Sequence, residues 1–109
     1  MVHENDGGIM EYDFDSRDGG LTIKVSGRMT HKDHKAFRDI LSHINNAGTA
    51  KVRFDLSRVE FMDSSALGML LIVRDAAVQQ RRDVVLKGAT GQVENLMKVA
   101  KLHKYFTVE

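Results

Sequence analysis

The chain has no cysteine and no proline in its 109 residues. Without cysteine there is no disulfide, no thiolate nucleophile and no cysteine-based zinc site, and a reducing compartment is the natural setting. Without proline, no turn is set by a pyrrolidine ring. An excess of charge of one sign is also lacking: 16 Lys and Arg against 15 Asp and Glu leave a net charge of +1. Strong nonspecific binding to nucleic acid is therefore not indicated, and no direct nucleic-acid partner is expected. No apolar run is long enough to span a bilayer, and the N-terminus has no signal-peptide-like apolar segment. The expectation is a cytoplasmic protein without membrane insertion. The length suits one domain around one hydrophobic core, over residues 9–109, behind a polar tail at 1–8 that ends in Gly7-Gly8.

What is present is clear periodicity. Ile9, Tyr12 and Phe14 lie among Glu11, Asp13 and Asp15, while Leu21, Ile23 and Val25 alternate with Thr22, Lys24 and Ser26. With the turn signal Arg17-Asp18-Gly19-Gly20 between them, the two runs predict a hairpin. Thr30, with Asp33 three residues on, has capping-box spacing, and Phe37, Ile40, Leu41 and Ile44 follow at helical intervals up to Asn45-Asn46-Ala47-Gly48. Lys51 to Leu56 reads as a third strand, with a short polar turn after it. A second helix runs from Ser64 to about Arg82, Val84 to Leu86 form a short buried strand, and Thr90 caps a helix with the stripe Val93, Leu96, Met97, Ala100. Tyr105 to Val108 make a last strand. The order β-β-α-β-α-β-α-β predicts an α/β fold: right-handed crossovers, a mixed sheet of four to five strands, and helices mainly on one face.

On a helical wheel the second helix places Ala66, Leu67, Leu70, Leu71, Val73, Ala77 and Val78 on the core arc. Arg74 falls inside that arc, so its head group has to reach an acceptor or snorkel to water. Ser65, Gly68, Asp75 and Gln79 fall opposite, and so do Met69 and Ile72. Apolar residues on that side are either scattered surface positions or a docking patch beside Ser64. Ser64 itself stands at a strand-to-helix junction, where a phosphate is welcome and where a serine is also a good cap. It is a poor candidate for a hydrolase nucleophile: the pattern is not G-x-S-x-G, and no histidine is marked as its base. His31 and His34 have the spacing of two metal ligands but read more simply as a solvated helix start. Gly88-Ala89-Thr90-Gly91 lacks the Lys-Ser/Thr of a P-loop and reads as a turn. No catalytic residue, metal site or cofactor is expected.

The segment Asp55-Leu56-Ser57-Arg58-Val59-Glu60-Phe61-Met62-Asp63-Ser64-Ser65-Ala66-Leu67-Gly68 resembles the D-L-S-x-V-x-F-x-D-S-S-G-L-G stretch of the STAS family, the anti-sigma-factor-antagonist type in particular. The order of elements agrees from about Ile9 to Val108. The resemblance implies a protein that is not an enzyme. It would bind an anti-sigma factor that is also a serine kinase of the GHKL type, and would be released by phosphorylation of the first serine of the triplet, here Ser64. A serine phosphatase would reverse the switch. The partner-binding residues are then Asp63, Ser64, Ser65, Gly68, Met69 and Ile72. Two positions depart from the pattern: Ala66 stands where the family has glycine, and Thr30 where many members have an acidic residue of the partner-facing surface. The same fold would also serve as an unphosphorylated scaffold or accessory subunit, for example of a lipid-transport ATPase, or as a small-molecule sensor.

Overall fold

A computed structural model describes residues 9–16, 19–48 and 51–109. The tail at 1–8 and part of the hairpin turn, Arg17-Asp18, lie outside the described residues. Five strands, β1 (Ile9–Asp15), β2 (Leu21–Met29), β3 (Lys51–Met62), β4 (Asp83–Lys87) and β5 (Thr107–Val108), form one sheet in the order β1-β2-β3-β4-β5. Only β1 and β2 pair antiparallel; the remaining pairs are parallel, each joined through a helix: α1 (His34–Asn46), α2 (Ser64–Gln79) and α3 (Gly91–Val99). The buried side chains of all three helices join Ile23, Val25, Val52, Phe54, Leu56, Val84 and Leu86 in one cluster. The mixed sheet with its helices gathered over one face is the predicted α/β architecture.

The opposite face carries charge in register. Asp13 pairs with Lys24, Lys24 with Asp55 and Asp55 with Lys87, so acid and base alternate across four strands. Opposite charges side by side are the favourable cross-strand arrangement. Partial burial works against ionisation of Asp55, but hydrogen bonds from Ser57 and the nearby Lys87 and Lys24 prevail and hold its carboxyl below the usual range. At the other edge of the fold, Tyr12 Oη–H donates to Asp39 Oδ2 at 2.8 Å, and His43 stacks on Phe14. Both contacts pin β1 to α1.

Several boundaries differ from the sequence reading; the last strand, for one, starts at Thr107 rather than Tyr105, because the Tyr105 N–H closes a 3-10 turn on Leu102 O. β3 does not end at Leu56 but runs on to Met62, through the stretch that looked like a polar turn. Its pairing with β2 slips twice, between Lys24 and Ser26 and between Gly27 and Arg28, and each slip absorbs an extra residue of β3. A bulge breaks period-two alternation without ending the strand. Gly27, at φ +87°, sits between the slips, in a conformation that glycine reaches without strain. α2 ends at Gln79 rather than near Arg82, because Arg81 takes the left-handed conformation at φ 59° and the Arg82 N–H turns back to Ala77 O. Glycine is the usual residue there, so an arginine gives no stop signal.

Candidate functional site

The carboxyl ends of β2 and β3 and the start of α2 meet at Asp63. Thr30 closes the end of β2 as expected: its N–H donates to Asp33 Oδ2 at 2.8 Å, and its Oγ1 accepts from the Lys32 N–H at 3.2 Å. This capping box opens a short 3-10 turn, His31–Asp33, and α1 follows. Asp63, not Ser64 or Ser65, is the N-cap of α2. Its Oδ1 accepts from the Ala66 N–H at 2.8 Å, and its Oδ2 accepts from the His31 N–H at 3.1 Å, with His31 Nδ1 at 3.5 Å. Its own N–H donates to Met29 O at 3.1 Å. One residue thus ties the β2 end, the turn before α1 and the first turn of α2 together. Partial burial opposes the carboxylate charge, but the hydrogen bonds from Ala66 and His31 outweigh it, so the Asp63 carboxyl is held below its ordinary value.

A second clamp comes from α3. Gln92 Nε2 donates to Met62 O and Gln92 Oε1 accepts from the Met62 N–H, both at 2.9 Å. The side-chain amide acts as one more rung of the sheet, at the residue before Asp63. Gln92 was not singled out from sequence, and His31 only as half of a possible metal-ligand pair, not as a partner of Asp63. Both contacts span about thirty residues of chain, and no local pattern announces them. Gln92→Ala leaves two part-buried backbone groups of Met62 without partners, with an expected loss of about 1–2 kcal/mol in urea unfolding. An unchanged midpoint would show that water replaces the amide at no cost.

Against this fixed frame, Ser64 and Ser65 are the first residues of α2 and both are exposed. The Ser64 hydroxyl makes no hydrogen bond to a base among the described residues. Along the same side of α2 lie Gly68 and then Ile72, which is 60% exposed. A methyl group at Gly68 would meet nothing within 4 Å. Glycine inside a helix costs about 0.5–1 kcal/mol relative to alanine, and nothing among the described residues requires it here.

The wheel is corrected at two positions. Met69, placed on the exposed side, is only 7% exposed, and Val78, placed on the core arc, is 48% exposed. α2 packs on α1 as well as on the sheet, so its buried surface is turned toward α1, and the wheel has no knowledge of that neighbour. Met69 lines a small groove with Phe37, Leu41 and Val73 instead of standing on the surface. Arg74 finds the required acceptor: its Nε–H donates to Tyr105 O at 3.0 Å and its guanidinium lies 5.7 Å from the centre of that ring. Among the described residues no group of three or more His, Asp or Glu side chains could hold a metal ion, and His31 is engaged by Asp63. No helix of the described residues is long and apolar enough to cross a membrane.

Known proteins share both the sequence pattern and the fold. The family model described as "Mlab, STAS domain" matches residues 12–109. A STAS-domain containing protein of Pseudomonas aeruginosa (strain UCBPP-PA14) is 32% identical over 88 residues, covering 81% of this chain and 86% of that protein. Among solved structures, an anti-sigma factor antagonist from Mycobacterium paratuberculosis superposes with a TM-score of 0.81 at 18% identity, over 92% of this chain and 85% of that one. The anti-sigma factor antagonist SpoIIAA in its unphosphorylated form superposes with a TM-score of 0.70 at 17% identity, over 90% of this chain and 86% of that one. The phosphorylated form of SpoIIAA, a Bacillus cell fate determinant, does so at 0.68 and 16% identity, over 90% of each chain. At such identities the likeness to these structures is one of fold.

Proposed function

The chain belongs to the STAS domain family, and we propose that it is a cytoplasmic anti-sigma factor antagonist, not itself an enzyme, with Ser64 as its phosphoacceptor. In this reading it binds an anti-sigma factor that is also a GHKL-type serine kinase, and so frees a sigma factor. Phosphorylation of Ser64 ends the binding, and a serine phosphatase restores it. The observation that carries the reading is the contrast between two serines of the motif. Ser57 Oγ–H is committed to Asp55 Oδ1 at 2.7 Å, whereas Ser64 is exposed at the head of a helix, its hydroxyl unengaged among the described residues. Solved relatives of the same fold include an antagonist in both unphosphorylated and phosphorylated forms, which supports the same chemistry here.

Neutral serine is small enough to lie flush against a partner. A phosphate adds about 1.5 to 2 negative charges and three acceptor oxygens. Asp63, Ser64, Ser65, Gly68 and Ile72 form the partner-facing surface in this proposal, with Met69 supporting it from the groove. The switch is local and needs no rearrangement of the fold.

Phosphopeptide mapping of the protein isolated from its host provides the test. A single phosphate at Ser64, absent from Ser64→Ala, is the expected result, together with co-purification of an ATP-binding serine kinase by Ser64→Ala. Phosphate at Ser57 or Ser65 instead would overturn the site. Recovery of transporter subunits with no kinase would favour an accessory-subunit role.

A further inference from the structure

The region beside the proposed docking face has a one-sided charge pattern. From His31 to Arg38 every exposed ionisable side chain is basic: His31, Lys32, His34, Lys35 and Arg38. The one acid of that stretch, Asp33, is buried inside the capping box. On the exposed stripe of α2 the only acid is Asp75, and Arg74 Nη1 lies 3.2 Å from its Oδ1. With a net charge of only +1, this is a local concentration and not a property of the whole chain. Acids collect elsewhere, on β1 at Glu11, Asp13 and Asp15.

Beside this basic stretch runs the groove of about 120 Å³ whose floor is Phe37, Leu41, Met69 and Val73, with His34 and Arg38 on one rim and Ile72 on the other. A groove between two helices, apolar below and charged above, suits an amphipathic helix. Gly68 adds an independent sign. The chain keeps a glycine in mid-helix with open space beyond its α-carbon, which is what close approach of another backbone requires.

We infer that the α1–α2 groove receives an acidic amphipathic helix from a partner protein. Apolar side chains of that helix enter between Leu41 and Ile72, its carboxylates face Arg38 on the rim and reach toward Lys35 on the adjoining exposed face of α1, and its backbone comes nearest at Gly68. The inference rests on the reading of α2 as the partner-facing helix and adds the chemistry of what docks there. It also strengthens the switch, since a phosphate at the head of the groove repels an acidic ligand.

A photo-cross-linking residue at Ile72 of the full chain, used in the host and followed by mapping of the captured peptide, tests it. The expected peptide has apolar residues at helical spacing flanked by Asp or Glu. Charge reversal at Lys35→Glu with Arg38→Glu is expected to lower the cross-linked yield roughly tenfold or more, as loss of charge complementarity slows association. Lys104→Glu, remote from the groove, leaves the yield unchanged. Gly68→Ala raises the thermal midpoint of the free protein yet lowers the yield. A basic or uncharged peptide, a second copy of this chain, no captured peptide, or a yield indifferent to the Lys35 and Arg38 reversals overturns the inference. An acidic helix from a protein that is not a kinase sustains it while removing the kinase reading, and a kinase captured through a basic segment does the reverse.

Discussion

Ser64→Asp is expected to weaken the complex with the kinase-type partner by about a thousandfold, while Ser64→Ala binds nearly as wild type. The size follows from what surrounds the position. The Ala66 N–H, a main donor of the first turn of α2, is already taken by Asp63 Oδ1, and Asp63 is itself held ionised. A second negative charge at Ser64 therefore gains little neutralisation from its own helix and is presented outward. Burying an unpaired charge in an interface costs several kcal/mol, and about 4 kcal/mol separates a nanomolar from a micromolar complex. The fold should be indifferent, because an acidic side chain in the first turn of a helix is mildly favourable. Calorimetric titration with the partner, alongside a thermal melt of each variant, separates the two effects. A Ser64→Asp protein that melts normally and still binds tightly would remove Ser64 as the switch.

The largest expected loss of stability within the site is at Asp63. Asp63→Ala deletes the cap on Ala66 and the link to His31 in one step. A cap is worth about 1 kcal/mol and a hydrogen bond to a charged group about 1.5–3 kcal/mol, so a total loss of about 2–3 kcal/mol is expected after relaxation. Asp63→Asn retains an acceptor for the Ala66 N–H and loses less. The pH dependence has a definite sign. The folded carboxyl titrates below its ordinary value of 3.8, so its contribution is complete above that pH and disappears as pH falls through the lower folded value. Urea unfolding of wild type and Asp63→Ala at about pH 7 and about pH 2.5 should therefore show a gap that narrows on acidification. A gap of equal size at both pH values would mean that the charge of Asp63 contributes nothing and that the loss is one of packing.

Much of the fold was legible because its signals are local. The alternation in β1 and β2, the stripe Phe37-Ile40-Ile44 and the Thr30–Asp33 box each involve residues within a few positions of one another, and each appears where expected. Failures came where a local rule met a distant partner. β3 outlasts its alternation because β2 pairs with it through two bulges. Met69 is buried because α1 lies against α2, and a wheel drawn from one helix cannot place another. The end of α2 was misplaced because Arg81 takes a conformation that arginine rarely signals.

The sequence by itself determined the order of elements, the Asp63-Ser64-Ser65 junction and the position of Ser64 at the head of a helix. These depend on the intrinsic preferences of neighbouring residues, which act over a turn of helix or a few residues of strand. Only the tertiary structure decided that Asp63 is the cap, that His31 and Gln92 hold the junction from two other elements, and that Gly68 and Ile72 remain outside while Met69 turns in. Hydrogen bonds across thirty residues and the contact of α1 with α2 exist only once strand register has brought those segments together.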